Sequence, residues 1–161
     1  MNGEKPILDM TCGGRMMWFD KANENAVFFD RRNERIVLCD GRTYEVKPDV
    51  QGEWCALPFP DESFSLVVFD PPHFKNIGTS SWVAKKYGKL CPEWQDEFRE
   101  AGCEAMRVLK EHGVFVFKWC DAEISLRKAI NAIGLKPLFG QTRDTKGKTH
   151  WICYMKGISD K

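Results

Sequence analysis

The sequence predicts a single α/β domain over residues 1–161, built on a mostly parallel β-sheet. Short apolar runs alternate with stretches of helical periodicity along the chain. The run SLVVF (65–69) is apolar after its serine, as expected for a central strand that is covered on both faces. Two further runs, 137–142 and 151–155, flank a polar, turn-rich stretch and predict a closing hairpin with an antiparallel strand.

Five strands are expected before that hairpin, because five apolar runs end at turn-forming or acidic residues. A small hairpin is also expected within residues 35–50, around the turn signal Asp40-Gly41, where a helix would otherwise separate the second and third strands. The ranges predicted for the five strands are Pro6–Met10, Ala26–Asp30, Glu53–Ala56, Ser65–Phe69 and Gly113–Lys118.

Helical periodicity predicts three helices. The longest covers Glu93–Lys110, where apolar residues recur every three or four positions and line one face. A second covers Ala122–Ile133, with Asp121 as its N-cap and Gly134 as its stop. A third, Met16–Ala22, is expected between the first two strands.

The composition excludes several classes of protein. The chain carries 24 Lys and Arg against 23 Asp and Glu, a net charge of +1, so it does not coat nucleic acid by charge alone. The hydrophobic fraction of 43% excludes a disordered role. No apolar run approaches the roughly 18 residues of a membrane span. The first ten residues lack the apolar segment of a secretion signal, so we expect a cytoplasmic protein.

The seven cysteines predict no metal site. They are scattered without a CxxC pair, and the three histidines do not supply a close pair of ligands. We therefore expect reduced and mostly buried thiols.

A glycine-containing loop follows the first strand in the segment ILDMTCGGR (7–15). Backbone N–H groups at Gly13 and Gly14 can approach a ligand closely. Asp30 ends the next strand, where a carboxylate can accept both hydroxyl protons of a ribose. The loop lacks the GxGxxG spacing of dinucleotide sites, and the charge of Asp9 suits a cationic cofactor such as S-adenosylmethionine (SAM). A glycine turn without a ligand is the alternative.

The segment SLVVFDPPHF places four chemically distinctive residues after the buried strand. Ligands bind at the carboxyl ends of strands in open α/β sheets. Two prolines stiffen this turn, so the Asp70 carboxylate and the Pro71 carbonyl form a fixed pair of acceptors for the two hydrogens of a planar amine. Pro72 has no N–H to donate within the turn, and His73 or Phe74 offers a flat face for a base. A turn that merely ends the strand is the alternative.

The next segment, Phe74–Leu90, has the makeup of a substrate loop. It contains four lysines and no acidic residue, with aromatic residues interleaved. Basic groups suit phosphates and aromatic rings suit bases, so Phe74, Lys75, Trp82, Lys85 and Lys86 are candidate substrate-binding residues. A solvated loop whose aromatic residues cover the core is the alternative.

These motifs together resemble the class I SAM-dependent methyltransferases, and more specifically the nucleic-acid amino-methyltransferases with a (D/N)PP(Y/F/W/H) motif. ILDMTCGG resembles the first motif of that family, and AVFFD resembles the second. GEWCALPFPDESFSLVVFDPPH (52–73) is similar to the run that leads into its DPP turn, and LKEHGVFVFK (109–118) to a later strand. The resemblance implies a Rossmann-like sheet of seven strands with the last strand antiparallel.

The resemblance also implies roles for individual residues. Asp9 and the loop backbone would hold the methionine part of SAM, Asp30 the ribose, and Glu53 the adenine amine, with Leu57 packed on the adenine ring. Glu53 stands where the family has Asp, and Arg15 replaces the last glycine of the first motif. The cofactor-binding residues implied are Asp9, Thr11, Cys12, Gly13, Gly14, Asp30, Glu53 and Leu57, and the catalytic residues are Asp70, Pro71, Pro72 and His73.

The expected activity is transfer of a methyl group from SAM to an exocyclic amine of a nucleic-acid base, with adenine N6 of DNA as first choice and RNA as second. The alternatives are methylation of guanine N2 in RNA, methylation of a small molecule or protein nitrogen, and an inactive cofactor-binding partner subunit. The chain has no segment resembling the target-recognition domain of that family. The expected partners are nucleic acid and either a second copy of the chain in a homodimer or a partner that supplies sequence specificity.

Overall fold

The computed structural model describes residues 5–38, 40–78, 81–140 and 148–158. These ranges contain three helices, α1 (Trp82–Tyr87), α2 (Trp94–Val108) and α3 (Leu126–Ile133). The strands in the described ranges are β1 (Ile7–Asp9), β2 (Ala26–Asp30), β3 (Glu34–Val37), β4 (Thr43–Val46), β5 (Val50–Gln51), β6 (Phe64–Phe69), β7 (Leu109–Cys120), β8 (Phe139–Gly140) and β9 (Thr149–Met155).

Seven strands form one sheet in the order β5-β2-β1-β6-β7-β9-β8. Neighbouring strands from β5 to β7 run parallel, while β9 is antiparallel to both β7 and β8. This confirms the prediction of a mostly parallel seven-stranded sheet that closes with antiparallel strands. The order reverses between β1 and β6, which is the point where ligands bind in such sheets.

An aromatic core fills one face of the sheet. Phe69 of β6 pairs in register with Phe117 of β7, and their rings stack with centroids 6.0 Å apart. Phe98 of α2 packs edge-on against both rings. Burial of large aromatic side chains is the main stabilising contribution here, since each removes about 150–250 Å² of apolar surface from water. This packing fixes the end of β6, from which the candidate site begins.

The opposite face carries no helix within the described residues. Trp18 of the loop after β1 covers the β2 side, where its ring meets Phe28 edge-on. Leu66, Val114 and Val116 on the neighbouring strands remain partly exposed. Among the described residues, this face is thus covered mainly around β1 and β2.

The helix expected at Met16–Ala22 is absent, and that prediction is wrong: turns occupy the loop from residue 10 to residue 25. Side-chain oxygens of Asp20 and Asn23 accept hydrogen bonds from backbone N–H groups two residues later. Such turns compete with helical hydrogen bonding. The Trp18 indole also donates to the Asp9 carboxylate, which holds the loop against the sheet.

Several boundaries also differ from the predictions: β7 is Leu109–Cys120 rather than Gly113–Lys118, and α2 ends at Val108 rather than Lys110. The third sheet strand is Val50–Gln51, not Glu53–Ala56, because Val50 and Gln51 pair with the end of β2 while residue 53 begins a turn. Helix α3 begins at Leu126 and is capped by Ser125, whose hydroxyl accepts from the Lys128 N–H. The proposed cap, Asp121, is instead buried against the His150 ring.

Both hairpins are confirmed. β3 and β4 pair in the predicted 35–50 segment and form a separate two-stranded sheet, and Gly41 in their turn has a φ of 81°. β8 and β9 form the closing hairpin. Residues 141 and 142, at the end of its predicted first arm, lie outside the described residues.

The segment before β6 is pinned to α2 by one arginine. Arg107 donates to both carboxylate oxygens of Glu104, at 2.7 and 2.8 Å, and to the carbonyls of Leu57 and Phe59. The Leu57 N–H donates to the same glutamate. This pairing lowers the pKa of Glu104. A planar guanidinium suits such a bidentate arrangement, so this network fixes the segment Leu57–Phe59, which precedes β6.

No helix in the described ranges is long and apolar enough to cross a membrane.

The six described cysteines are all free thiols. Cys12 is buried and Cys103 is exposed, so the expectation of mostly buried thiols holds for only part of the set. Cys39 lies outside the described residues.

Candidate active site

The glycine loop after β1 is held by the carboxylate at the end of β2. Asp30, which is 4% exposed, accepts from the Gly13 N–H at 2.8 Å and from the Arg32 N–H at 2.9 Å. Gly13 has a φ of +48°, a conformation that L side chains rarely adopt. The carboxylate keeps free lone pairs for a further donor, since two oxygens offer about four acceptor positions.

The β3–β4 hairpin reaches the same loop through Tyr44. The Gly14 N–H donates to the Tyr44 hydroxyl at 2.8 Å. A Cβ atom at Gly14 would lie 2.6 Å from the Tyr44 ring, so only glycine fits there. Burial raises the pKa of the Tyr44 phenol, which keeps it neutral.

The side chain of Asp9, at the end of β1, binds the loop that follows this strand. Its side chain is fully buried and accepts from the Thr11 N–H at 3.1 Å and from the Trp18 indole at 2.7 Å. Burial raises the pKa of this carboxyl to about 7. Cys12 is buried as well, and desolvation raises the pKa of its thiol, so it is a packed thiol rather than a nucleophile.

The raised pKa of Asp9 predicts a pH-dependent stability. Between the ordinary carboxyl value of 3.8 and about 7, the folded protein holds a proton that the unfolded chain has released. The free energy of unfolding therefore falls as pH rises through this window. We expect the wild type to lose roughly 2–3 kcal/mol from this group between pH 5 and pH 8.

Denaturant unfolding of the wild type and of Asp9→Asn at pH 5 and pH 8 measures this contribution. The wild type should lose more stability than the variant between the two pH values. An equal loss in both proteins would contradict the assignment.

The Asp70-Pro71-Pro72-His73 turn leaves β6 beside the glycine loop. The Asp70 N–H donates to the Thr11 hydroxyl at 2.7 Å, which joins the two segments. Lys118, near the end of β7, places its Nζ 2.5 Å from Asp70 Oδ2. Burial raises the pKa of Asp70, and the Lys118 charge opposes that rise. Oδ1 makes no hydrogen bond to the described residues and remains open as an acceptor.

His73 and Phe74 lie side by side directly after Pro72. Their ring centroids are 4.3 Å apart with a tilt of 46°. Burial lowers the pKa of His73, so its ring is neutral near pH 7. Neutral, partly exposed rings can support a flat ligand by stacking.

The segment after the turn folds back over it. The Leu90 N–H donates to the Phe74 carbonyl at 2.9 Å. A Cβ atom at Gly88 would lie 2.9 Å from the Pro72 ring, so the end of α1 packs closely on the turn. Arg32 donates to the Lys85 and Lys86 carbonyls at 3.3 Å, and this fixes the last turn of α1 beside Asp30.

Two adjoining cavities open at this edge of the sheet. The larger cavity has a volume of about 360 Å³ and contains the residues of the glycine loop together with Asp70. Its wall also includes Arg32, Tyr44, Lys86, Tyr87 and Lys118.

The smaller cavity has a volume of about 160 Å³ and lies between Asp30 and Asp70. Thr11 lines both cavities. Trp54, which is 3% exposed, forms part of the smaller wall, and its indole Nε1 has no hydrogen-bond partner in the described part of the chain. The Arg31 guanidinium lies 3.5 Å from the centre of that indole ring.

Several predicted site residues line neither cavity. Glu53 is exposed and pairs with Arg31 at 2.9 Å, while Leu57 is buried in the main core. The Lys75 N–H donates to Glu123 at 2.8 Å, away from both cavities. The remaining predicted residues outside both cavities are Asp9, Pro71, His73, Phe74, Trp82 and Lys85.

Sequence reasoning missed several residues that line these cavities, among them Arg32, Tyr44, Trp54 and Lys118. One signal was available, because Lys118 follows four apolar residues in GVFVFK, at the end of a buried strand. Tyr44 could not be found from the sequence, because the hairpin's docking on the glycine loop is a long-range contact.

Comparison with known proteins supports the fold and not a particular activity. No protein-family model matches the chain, and no curated protein matches it in sequence. A SAM-dependent methyltransferase from Methanosarcina mazei is 11% identical, with a TM-score of 0.56 over 93% of this chain and 91% of that one. A protein from Pyrococcus horikoshii is 14% identical, with a TM-score of 0.55 over 93% and 81%.

A predicted O-methyltransferase from Agrobacterium tumefaciens is 14% identical, with a TM-score of 0.52 over 94% of this chain and 74% of that one. At these identities the likeness establishes the fold alone. The chain therefore has the Rossmann-like fold of these proteins, with a mostly parallel sheet of seven strands.

Proposed function

We propose that the protein transfers a methyl group from SAM to an exocyclic amine of a nucleic-acid base, with adenine N6 of DNA as the first candidate. One observation carries this proposal: Asp70 Oδ1 is an open acceptor in a turn stiffened by two prolines, beside the loop that ends β1. Solved methyltransferases of the same fold, among them the SAM-dependent enzyme from Methanosarcina mazei, support the reaction class.

The residues of the smaller cavity fit the nucleoside part of SAM. The Asp30 carboxylate has acceptor positions left for ribose hydroxyls after binding Gly13 and Arg32. The buried Trp54 Nε1 has no hydrogen-bond partner among the described residues, and a ring nitrogen of adenine would give it an acceptor. A buried donor without a partner costs about 1–3 kcal/mol, so a ligand that satisfies it gains affinity.

The glycine loop would hold the ammonium of SAM's methionine part through its backbone carbonyls. Its N–H groups are not available as the sequence predicted, because those of Gly13 and Gly14 already donate to Asp30 and Tyr44. Asp9 supports that loop through Thr11 and Trp18 and does not line the cavities. When bound, SAM supplies a methyl group on a sulfonium sulfur. Asp70 stands at the wall shared by the two cavities, so the acceptor amine and the cofactor would meet beside it.

Asp70 Oδ1 and the Pro71 carbonyl would accept the two hydrogens of the amine. This orientation draws the nitrogen lone pair out of conjugation and aims it toward the cofactor side. Lys118 binds Oδ2, so it orients the carboxylate without occupying Oδ1. The new C–N bond would form as the C–S bond of bound SAM breaks, and the methylated nitrogen would then release one proton to water. Positioning of the amine and exclusion of water would lower the barrier to methyl transfer, so no strong base is required.

The rivals differ in substrate. Methylation of guanine N2 in RNA, or of a small-molecule or protein nitrogen, would use the same acceptor pair. An inactive cofactor-binding subunit would bind SAM without transferring a methyl group, and the open Asp70 Oδ1 counts against it.

Transfer of radiolabelled methyl groups from SAM separates these candidates. The protein is incubated with DNA, RNA, protein and small-molecule pools, and each pool is counted. The proposal expects label in DNA, with RNA as the second choice. Label only in protein or small molecules would overturn the nucleic-acid assignment. SAM binding without label in any pool would favour the inactive subunit.

A further inference from the structure

A groove of about 590 Å³ opens between the β3–β4 hairpin and α1. Thr43 and Tyr44 line its hairpin side, while Trp82 and Lys86 line its helix side. Tyr44 and Lys86 also line the larger cavity that contains Asp70, and Gly14 and Met16 are shared in the same way. The groove is therefore continuous with the candidate active site.

The groove combines aromatic rings with a cation. The Lys86 Nζ lies 5.9 Å from the centre of the Tyr44 ring, 6.0 Å from that of Trp82 and 5.1 Å from that of Tyr87. Trp82 is 50% exposed, although it lies on a helix that packs beside the site. Rings that stack on bases and cations that meet phosphates are the usual components of a single-strand binding surface.

The charge of the groove favours one strand over a duplex. Three basic residues line it, Lys21, Arg42 and Lys86, together with Asp40 and Glu45. Asp40 forms an ion pair with Arg42 at 2.6 Å. The remaining positive charge is small, whereas binding to the backbone of a duplex needs several phosphate contacts. Stacking must therefore supply much of the affinity.

The groove forms because the β3–β4 hairpin connects β2 to β5, where an α/β fold usually has a helix. Contact between the Tyr44 hydroxyl and the Gly14 N–H docks the hairpin on the glycine loop. Arg32 holds the last turn of α1 opposite through the Lys85 and Lys86 carbonyls. Both walls are thus anchored to residues at the candidate active site.

We propose that this groove binds the nucleotides that flank the target base in a single-stranded nucleic acid. This rests on the proposed function and adds a second binding site to it, with Trp82 as a stacking platform and Lys86 as a phosphate contact. The target base enters the larger cavity beside Asp70, while its neighbours lie between the hairpin and α1.

Binding of fluorescent single-stranded oligonucleotides, measured by anisotropy with S-adenosylhomocysteine present, tests the groove without methyl transfer. Trp82→Ala should weaken binding by roughly 5- to 150-fold, the range expected for loss of one stacked base. Lys86→Gln should lower the slope of log affinity against log salt by about 0.7, the value for one phosphate contact in a single strand. Trp82→Ala should leave that slope unchanged.

Two matched variants serve as controls. Phe139→Ala removes an exposed ring on β8, and Lys128→Gln removes an exposed charge on α3, both outside the groove. Both should bind as the wild type does. Wild-type affinity and salt slope in Trp82→Ala and Lys86→Gln would overturn the groove assignment even if nucleic acid is methylated. A protein that methylates no nucleic acid would instead refute the proposed function.

Discussion

Replacing Asp70 by alanine is expected to lower the rate of methyl transfer by about 10²–10³-fold, the cost of removing one well-placed polar group from a reacting centre. The alanine has no oxygen to accept an amine hydrogen, so the amine nitrogen loses its orientation. The Lys118 ammonium would also lose its carboxylate partner. Single-turnover transfer to the methylated substrate measures this effect.

Asp70→Asn is the matched variant. An asparagine keeps one side-chain acceptor and loses the ion pair with Lys118, so its rate should fall between those of the wild type and of Asp70→Ala. Affinity for S-adenosylhomocysteine should change by less than about tenfold in both variants, because Asp30 and the glycine loop remain. Full activity in Asp70→Ala would contradict the proposed role of the carboxylate.

Replacing Asp30 by alanine should weaken binding of S-adenosylhomocysteine by about 10- to 150-fold, since hydrogen bonds to charged groups contribute roughly 1.5–3 kcal/mol each. The carboxylate has two tasks. It would accept the ribose hydroxyls, and it binds the Gly13 N–H that shapes the loop. Isothermal titration calorimetry measures the loss.

Glu53→Gln provides the comparison for Asp30. Glu53 is exposed and pairs with Arg31, and surface ion pairs contribute little to stability or binding. We expect less than about a threefold change in affinity for S-adenosylhomocysteine, in contrast to the role in adenine binding that the resemblance implied. A large loss for Glu53→Gln with none for Asp30→Ala would reverse the assignment of the two carboxylates.

The buried strands of the sheet follow from patterns that are visible in the sequence, whereas their order was not predicted. Apolar runs such as AVFFD and SLVVF indicate buried strands, and their acidic or proline-rich ends place Asp30 and Asp70 at one edge of the sheet. Local patterns therefore predict the two carboxylates that matter most for the proposed chemistry.

Contacts distant in sequence could not be predicted. The sequence of the loop after β1 predicts a helix, but the loop has no helical structure. Turns at Asp20 and Asn23 and the hydrogen bond from Trp18 to Asp9 stabilise its irregular backbone instead. Nothing in the sequence distinguishes Arg32 from an ordinary surface arginine. In the structure its guanidinium forms an ion pair with Asp30 and donates to the Lys85 carbonyl of α1. Such contacts depend on which elements meet in space, which hydrophobic periodicity does not specify.

Mass spectrometry of nucleosides from methylated DNA and RNA tests the central claim most directly. After incubation with SAM carrying a deuterated methyl group, the account predicts the label on an exocyclic amine, first of all adenine N6. Label on a ring carbon, a ring nitrogen or a ribose hydroxyl would contradict it, because the proposed acceptors, Asp70 Oδ1 and the Pro71 carbonyl, would bind the two hydrogens of an NH₂ group.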